Sequence, residues 1–65
     1  MQIKVNNQLV NSFKGARVKD VVLQYSRETY REVIRGQKVV RDHQGVRLGL
    51  SGRLADHSEL TIAEI

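Results

Sequence analysis

The chain has to build its hydrophobic core without covalent help, because none of its 65 residues is a cysteine. A chain of this size buries only about 60% of the surface that its unfolded form exposes, which predicts one core and a single domain over 1–65. Two histidines without a cluster of further ligands predict neither a structural metal nor a cofactor. Stability therefore has to come from the apolar residues, which make up 40% of the chain.

The charge of the chain is unbalanced towards basic residues. Eleven lysines and arginines stand against seven aspartates and glutamates, which gives a formal net charge of +4. A positive surface attracts acidic partners, and these include nucleic acid and acidic protein surfaces. No apolar run approaches the roughly 20 residues of a membrane-spanning helix, and Met1 to Val5 alternates in polarity, unlike a signal peptide. We therefore expect a cytoplasmic protein without a membrane segment.

The first residues predict a β-hairpin. Ile3 and Val5 alternate with polar residues, which is the pattern of a strand with one buried face. Asn6-Asn7 interrupts the strand, and asparagine tolerates the left-handed conformation of a tight turn. A second, antiparallel strand should run from Gln8 to Phe13. Its apolar residues fall on both faces, so the pattern does not decide which face is buried.

The apolar spacing changes after Gly15, which predicts a helix. Four apolar side chains recur at i, i+3, i+4 and i+7, the spacing of one helical face. They are Val18, Val21, Val22 and Tyr25. Because valine is a mediocre helix former, this helix should depend on packing against a sheet.

Segment 26–35 has two interpretations. In the first, the helix continues and Gly36 ends it in a left-handed cap. In the second, Arg31 to Arg35 is a strand, and Gly36-Gln37 turns into another strand, Lys38 to Arg41. We favour the strand, because a hairpin and one helix cannot alone enclose this much apolar sequence.

Two further turns divide the rest of the chain. Asp42 to Gly45 has the residues typical of a type I turn, and the apolar residues after it alternate until Ser51-Gly52. A turn at Asp56 to Ser58 precedes the last predicted strand, Glu59 to Glu64. This strand alternates again and should be buried on one face.

The order of these elements is strand, strand, helix, strand, short strand and strand. It predicts an α+β fold of the β-grasp (ubiquitin-like) type. We expect a mixed four- to five-stranded sheet with one helix packed across it and the last strand parallel to the first.

Several segments carry a resemblance to known families. Met1 to Val5 resembles the start of ubiquitin, and Val33 to Val40 resembles its middle strand, turn and following strand. Gly15-Ala16-Arg17-Val18, leading into Val21-Val22, is similar to the Gly-x-x-Val motif before the helix of the bacterial sulfur carriers ThiS and MoaD. Leu54 to Ile62 is similar to their late Leu-x-Asp-Gly-Asp-x-(Ile/Leu) segment.

The resemblance implies a binding partner, which in these families is an adenylating enzyme or a synthase subunit. Two departures stand out. The Asp-Gly-Asp turn appears here as Asp56-His57-Ser58-Glu59, without its glycine. Sulfur carriers end in Gly-Gly, whereas this sequence ends Ile62-Ala63-Glu64-Ile65, so we expect docking without thiocarboxylate chemistry.

The candidate contact surface combines the outer sheet face with the C-terminal strand. Its expected residues are Arg41, Arg47, Arg53, Ile62, Glu64 and Ile65. No nucleophile elbow or phosphate-binding glycine motif is present, so we predict a binding protein and not an enzyme. Three alternatives stay open: an RNA-binding accessory domain resembling TGS β-grasp modules, a regulatory or assembly subunit of a larger enzyme complex, or arginines that only keep a sheet edge soluble.

Overall fold

A tight turn at Asn6-Asn7 starts the fold as predicted. In the computed structural model, which describes residues 1–65, these two asparagines have φ angles of 48° and 67°. Strand β1 (Gln2–Val5) pairs antiparallel with β2 (Gln8–Asn11), with Ile3 opposite Val10. The second strand is shorter than expected, and it buries Val10 while Leu9 points to the other face.

Helix α1 spans Val18–Tyr25 as predicted, and a loop from the second half of the chain closes its start. Arg17 precedes the helix, and its side chain has no hydrogen-bond acceptor with which to cap the helix. Instead, the carbonyls of Gly52 and Leu50 accept hydrogen bonds, each 2.9 Å long, from the N–H groups of the first two helical residues. The start of α1 therefore depends on tertiary contacts.

A second helix, α2 (Arg27–Ile34), replaces the strand that we favoured for Arg31 to Arg35. The expectation of one helix is therefore wrong, and so is that of a single long helix. Ser26 separates the two helices with an extended backbone (φ −168°, ψ 125°). Its hydroxyl accepts a 3.2 Å hydrogen bond from the N–H of Thr29, which is how serine caps the start of a helix.

Gly36 ends α2 in a left-handed conformation with φ of 77°. Its N–H donates to the carbonyl of Val33 at 3.1 Å, and the N–H of Gln37 donates to the carbonyl of Glu32 at 2.9 Å. This pair of bonds is a Schellman motif, which satisfies carbonyls at the end of a helix. Neither helix of the protein is long and apolar enough to cross a membrane.

The sheet contains five strands in the order β2-β1-β5-β3-β4. The last three are β3 (Lys38–Arg41), β4 (Arg47–Leu48) and β5 (Glu59–Glu64). Strand β5 runs parallel to β1 and antiparallel to β3. The fold is thus a mixed five-stranded sheet with two helices, and the first and last strands are neighbours as predicted.

The core lies between one face of the sheet and helix α1. All eleven fully buried residues are apolar, and ten of them form one cluster. The cluster consists of Ile3, Val5, Val10, Ala16, Val18, Val21, Val22, Val40, Leu60 and Ile62. Tyr25, Tyr30 and Val33 pack against it while remaining partly exposed. The expected stripe of α1 and the alternation of β1 and β5 are therefore confirmed.

Side chains extend the parallel pairing of β1 and β5 at both ends. Lys4 N–H donates to Ser58 O at 2.9 Å, and Asn6 N–H donates to Leu60 O at 3.0 Å. One step before them, the N–H of Gln2 donates at 2.8 Å to the carboxylate of Asp56 instead of to a backbone carbonyl. The Asp56 carboxylate thus replaces a backbone carbonyl as the acceptor, at the point where the backbone of the turn diverges from β1.

At the other end, the side-chain amide of Asn6 takes the place of a peptide group. Its Oδ1 accepts from the N–H of Ile62 at 2.9 Å, and its Nδ2 donates to the carbonyl of Ile62 at 3.3 Å. The backbone of β1 has already turned away at this point, because Asn6 has a positive φ. Asn6 therefore both forms the turn and holds β5 beside β1.

We expect Asn6→Gly to destabilise the protein by about 1–3 kcal/mol, because it leaves two polar backbone groups of Ile62 without partners. Glycine adopts the positive φ without strain, and the entropy that it adds to the unfolded chain is common to this variant and its control. Asn7→Gly is the matched control: the Asn7 side chain makes no hydrogen bond in the structure, and the expected change is within about 0.5 kcal/mol. Urea unfolding measures both, and equal losses would contradict the role of the Asn6 amide.

Candidate functional site

The sheet has one face that the helices do not cover, which we call the outer face. Strand alternation and register decide its members, because neighbours along a strand point to opposite faces. The outer face consists of Gln2, Lys4, Leu9, Asn11, Val39, Arg41, Arg47, Glu59, Thr61 and Ala63. All of them except Val39 are exposed. This surface is therefore available to a partner over most of its extent.

Arg41 and Arg47 lie directly opposite each other on β3 and β4. The Arg41 guanidinium donates a 3.0 Å hydrogen bond to the carbonyl of Gly45, so it is held in place at the turn between these strands. No carboxylate forms an ion pair with either arginine. Like charges opposite each other destabilise a strand pair. A partner that supplies a carboxylate or phosphate would relieve this repulsion.

The third predicted arginine lies outside the sheet. Arg53 is in the loop between β4 and β5, where its backbone forms an isolated bridge with Arg17. It therefore does not share the outer face with Arg41 and Arg47, and the expected set of three is only partly brought together. The loop that carries Arg53 is positioned by helix α1, a tertiary contact that residue spacing does not reveal.

The C-terminal residues of the expected surface separate into buried and exposed positions. Ile62 is 7% exposed and belongs to the core, so it has to be removed from the contact surface. Glu64 is exposed and lies opposite Lys38 on β3. Ile65 is 78% exposed, and its N–H donates to the carbonyl of Gln37 at 3.4 Å. The end of the chain is thus held beside β3 with its last side chain in solvent.

The outer face also contains residues that sequence reasoning missed. Val39 is only 5% exposed although it does not belong to the core cluster. Ala63 lies opposite it on β5, and Leu9 is 63% exposed at the other side of the sheet. The alternation of β5 could have placed Ala63 on this face. Val39 could not be assigned from the sequence, because Val40 is its equally apolar neighbour.

Lys4 and Glu59 lie opposite each other on the outer face, on β1 and β5. Their charges are opposite, so this pair offers little net attraction to an acidic partner. The unneutralised positive charge of the outer face is therefore concentrated at Arg41 and Arg47.

The turn at Asp56-His57 forms a small polar cluster. His57 has a φ of 65°, so it adopts the left-handed conformation without being a glycine. Its Nε2 lies 3.5 Å from a carboxylate oxygen of Asp56. The hydrogen bond from the backbone of Gln2 holds the pKa of Asp56 below its ordinary value, and the charge of His57 acts in the same direction. No group of three or more potential metal ligands occurs in the structure.

Comparison of the chain with protein-family models, curated proteins and solved structures found no match.

Replacing Arg47 with glutamate should stabilise the protein, because it converts a repulsive cross-strand pair into an attractive one. The expected gain in the free energy of unfolding is about 0.2–1 kcal/mol at low salt, with a smaller gain for Arg47→Gln, which only removes the repulsion. The gain should shrink at about 1 M salt, where the charges are screened. Urea unfolding of the three proteins measures it. A variant Arg47→Glu that is less stable than the wild type would contradict this account of the pair.

Asp56→Asn should destabilise the protein at neutral pH and have little effect in acid. Because folding lowers the pKa of Asp56, its contribution is present above the ordinary pKa and is lost as pH falls through the lower folded pKa. The stabilities of wild type and variant should therefore converge below about pH 4. Urea unfolding across pH measures this. Glu64→Gln, at an exposed carboxyl on a strand without an ion pair, controls for the lost charge, and a gap independent of pH would contradict the prediction.

Proposed function

We propose that this chain is a ubiquitin-like β-grasp module that acts by binding a protein partner through its outer face and catalyses no reaction itself. The order of its strands supports the finer fold assignment, with an N-terminal hairpin, a helix across the sheet and a parallel β1–β5 pair at the centre. The second helix, α2, is an addition to the single helix that we expected from this fold.

The opposed arginines on β3 and β4 are the single observation that carries the binding proposal. Arg41 and Arg47 face each other, and neither has a carboxylate partner. Their mutual repulsion lowers the stability of the fold. Charges of this kind are useful where an acidic surface meets them, because complementary charge speeds association and selects the partner. We therefore place the centre of the contact at this pair.

The composition of the outer face favours a protein over RNA. Binding of single-stranded nucleic acid without sequence preference depends on aromatic side chains that stack on bases. Tyr25 and Tyr30 are on the helices, so Phe13, which follows β2 and is 57% exposed, is the one aromatic side chain near the outer face. Apolar residues such as Leu9 and Ala63 suit a protein surface. By the resemblance described above, we propose an adenylating enzyme or a synthase subunit as the partner.

The exposed C-terminal residues extend the proposed contact. Glu64 and Ile65 continue from β5, next to β3, so a partner that covers the outer face can also reach the end of this strand. The resemblance to sulfur carriers points to the same region, since their partners receive the C-terminal tail.

Affinity capture from an extract of the native source, followed by calorimetry with the purified captured protein, tests the proposal. We expect Arg41→Glu/Arg47→Glu to weaken binding at least about tenfold, a loss of about 1.4 kcal/mol. Lys14→Glu/Lys19→Glu is the matched control, because it changes the net charge equally through exposed residues outside the outer face. It should retain binding.

Two results would refute the protein-binding proposal. One is a partner whose affinity is unchanged by reversal of both arginines. The other is binding of an oligouridine whose affinity falls by orders of magnitude between about 50 and about 200 mM salt, which indicates several phosphate contacts. The second result would support the RNA-binding alternative.

A further inference from the structure

We infer that the groove between α2 and β4 is a second binding site, which accepts an acidic and apolar peptide segment of a protein partner. This site lies on the helix side of the β4 edge, and the inference does not rest on the function proposed for the outer face.

Helix α2 leaves apolar surface uncovered. None of its eight residues is fully buried, in contrast to α1, which buries Val18, Val21 and Val22. Val33 packs partly against the core, and Ile34 is 57% exposed. A helix that has this apolar side and a charged opposite side usually covers the apolar side with another element. No element of this chain covers Ile34.

The short edge strand creates the groove. Strand β4 contains only two residues, so the sheet ends beside α2 without a longer strand to fill the space. A groove of about 530 Å³ results, and its apolar lining is formed by Val33, Ile34, Leu48 and Leu50. Gly49 is also part of the lining, and a Cβ atom added to it would meet nothing within 4 Å. The space beside Gly49 is therefore open.

The charge around the groove selects an acidic occupant. Its lining contains Lys38 and Arg47 but no carboxylate. Lys38 forms a 3.2 Å ion pair with Glu32, whereas Arg47 forms none. Arg31 lies one helical turn before Ile34, and Arg35 follows Ile34 at the C-cap of α2; both arginines are exposed, and neither forms an ion pair. A peptide with an apolar side chain between two carboxylates would match this arrangement of apolar and basic residues.

The shape and charge of the protein distinguish this occupant from other candidates. A groove between a helix and a sheet edge accepts inserted side chains of a peptide, whereas a flat lipid surface would need apolar residues that project outwards. A second copy of the chain is disfavoured, because each copy carries a net charge of +4. We therefore assign the groove to an acidic segment of another protein.

A random peptide library displayed on phage and selected against the full chain tests the inference. We expect enriched sequences that place Asp or Glu beside Leu, Ile or Phe. Synthetic copies of these peptides should bind at least about tenfold more weakly to Ile34→Glu, which repels an acidic peptide, and to Gly49→Leu, which fills the groove. Gly49 lacks a positive φ and has open space around it, so its variant should fold.

Two controls locate the binding. Leu23→Glu makes the same kind of change at a half-exposed residue of α1 (44% exposed), away from the groove, and should leave peptide affinity unchanged. Arg41→Glu disrupts the outer face but not the groove lining, so peptide binding should survive it. Because Arg47 belongs to both surfaces, this second control changes Arg41 alone, and it thereby separates the inference from the proposed function.

Three outcomes would overturn the inference. The first is selection of peptides without acidic residues. The second is undiminished binding to both Ile34→Glu and Gly49→Leu. The third is that peptides fail to bind, while the chain self-associates in sedimentation or binds anionic phospholipid vesicles. Ile34→Glu would abolish that self-association or vesicle binding.

Discussion

The parallel pairing of β1 and β5 is the contact on which the rest of the structure depends. It joins the two ends of the chain through only two residue pairs in register, so the backbone alone offers it few hydrogen bonds. Side chains lengthen it at both ends. Asp56 receives the first N–H of β1, and the amide of Asn6 holds Ile62 after β1 has turned away. These side chains add to the backbone hydrogen bonds between Lys4 and Ser58, Asn6 and Leu60, and His57 and Gln2, which join the halves of the sheet.

The core that this pairing closes is small and consists mainly of valine, isoleucine and leucine. Its eleven buried residues form a small core, which no disulfide supplements. The helices are accordingly stabilised by specific caps as well as by burial. Carbonyls of a distant loop cap α1, while Ser26 and Gly36 set the start and end of α2. Local capping matters most for α2, because no residue of that helix is fully buried.

The two surfaces proposed for binding share a physical origin at the short strand β4. Its two residues place Arg47 opposite Arg41 on one side of the sheet and leave the groove beside α2 open on the other. The edge of the sheet is thus its least complete part, and it carries two opposed arginines that have no carboxylate partner. Both proposals assign binding to this edge of the sheet.

The order of the amino acids is enough to specify the hairpin, helix α1, the turn at Asp42 to Gly45 and the buried alternation of β5, because these elements depend on local spacing and turn chemistry. It did not decide segment 26–35. Gly36 fits both a helix cap and a hairpin turn, and the balance between them depends on Ser26 and on the space available over the sheet. The arrangement in space was needed to show that Arg53 lies away from Arg41 and Arg47 and that α2 borders a groove. These features depend on which distant strands become neighbours, and periodicity along the chain does not contain that information.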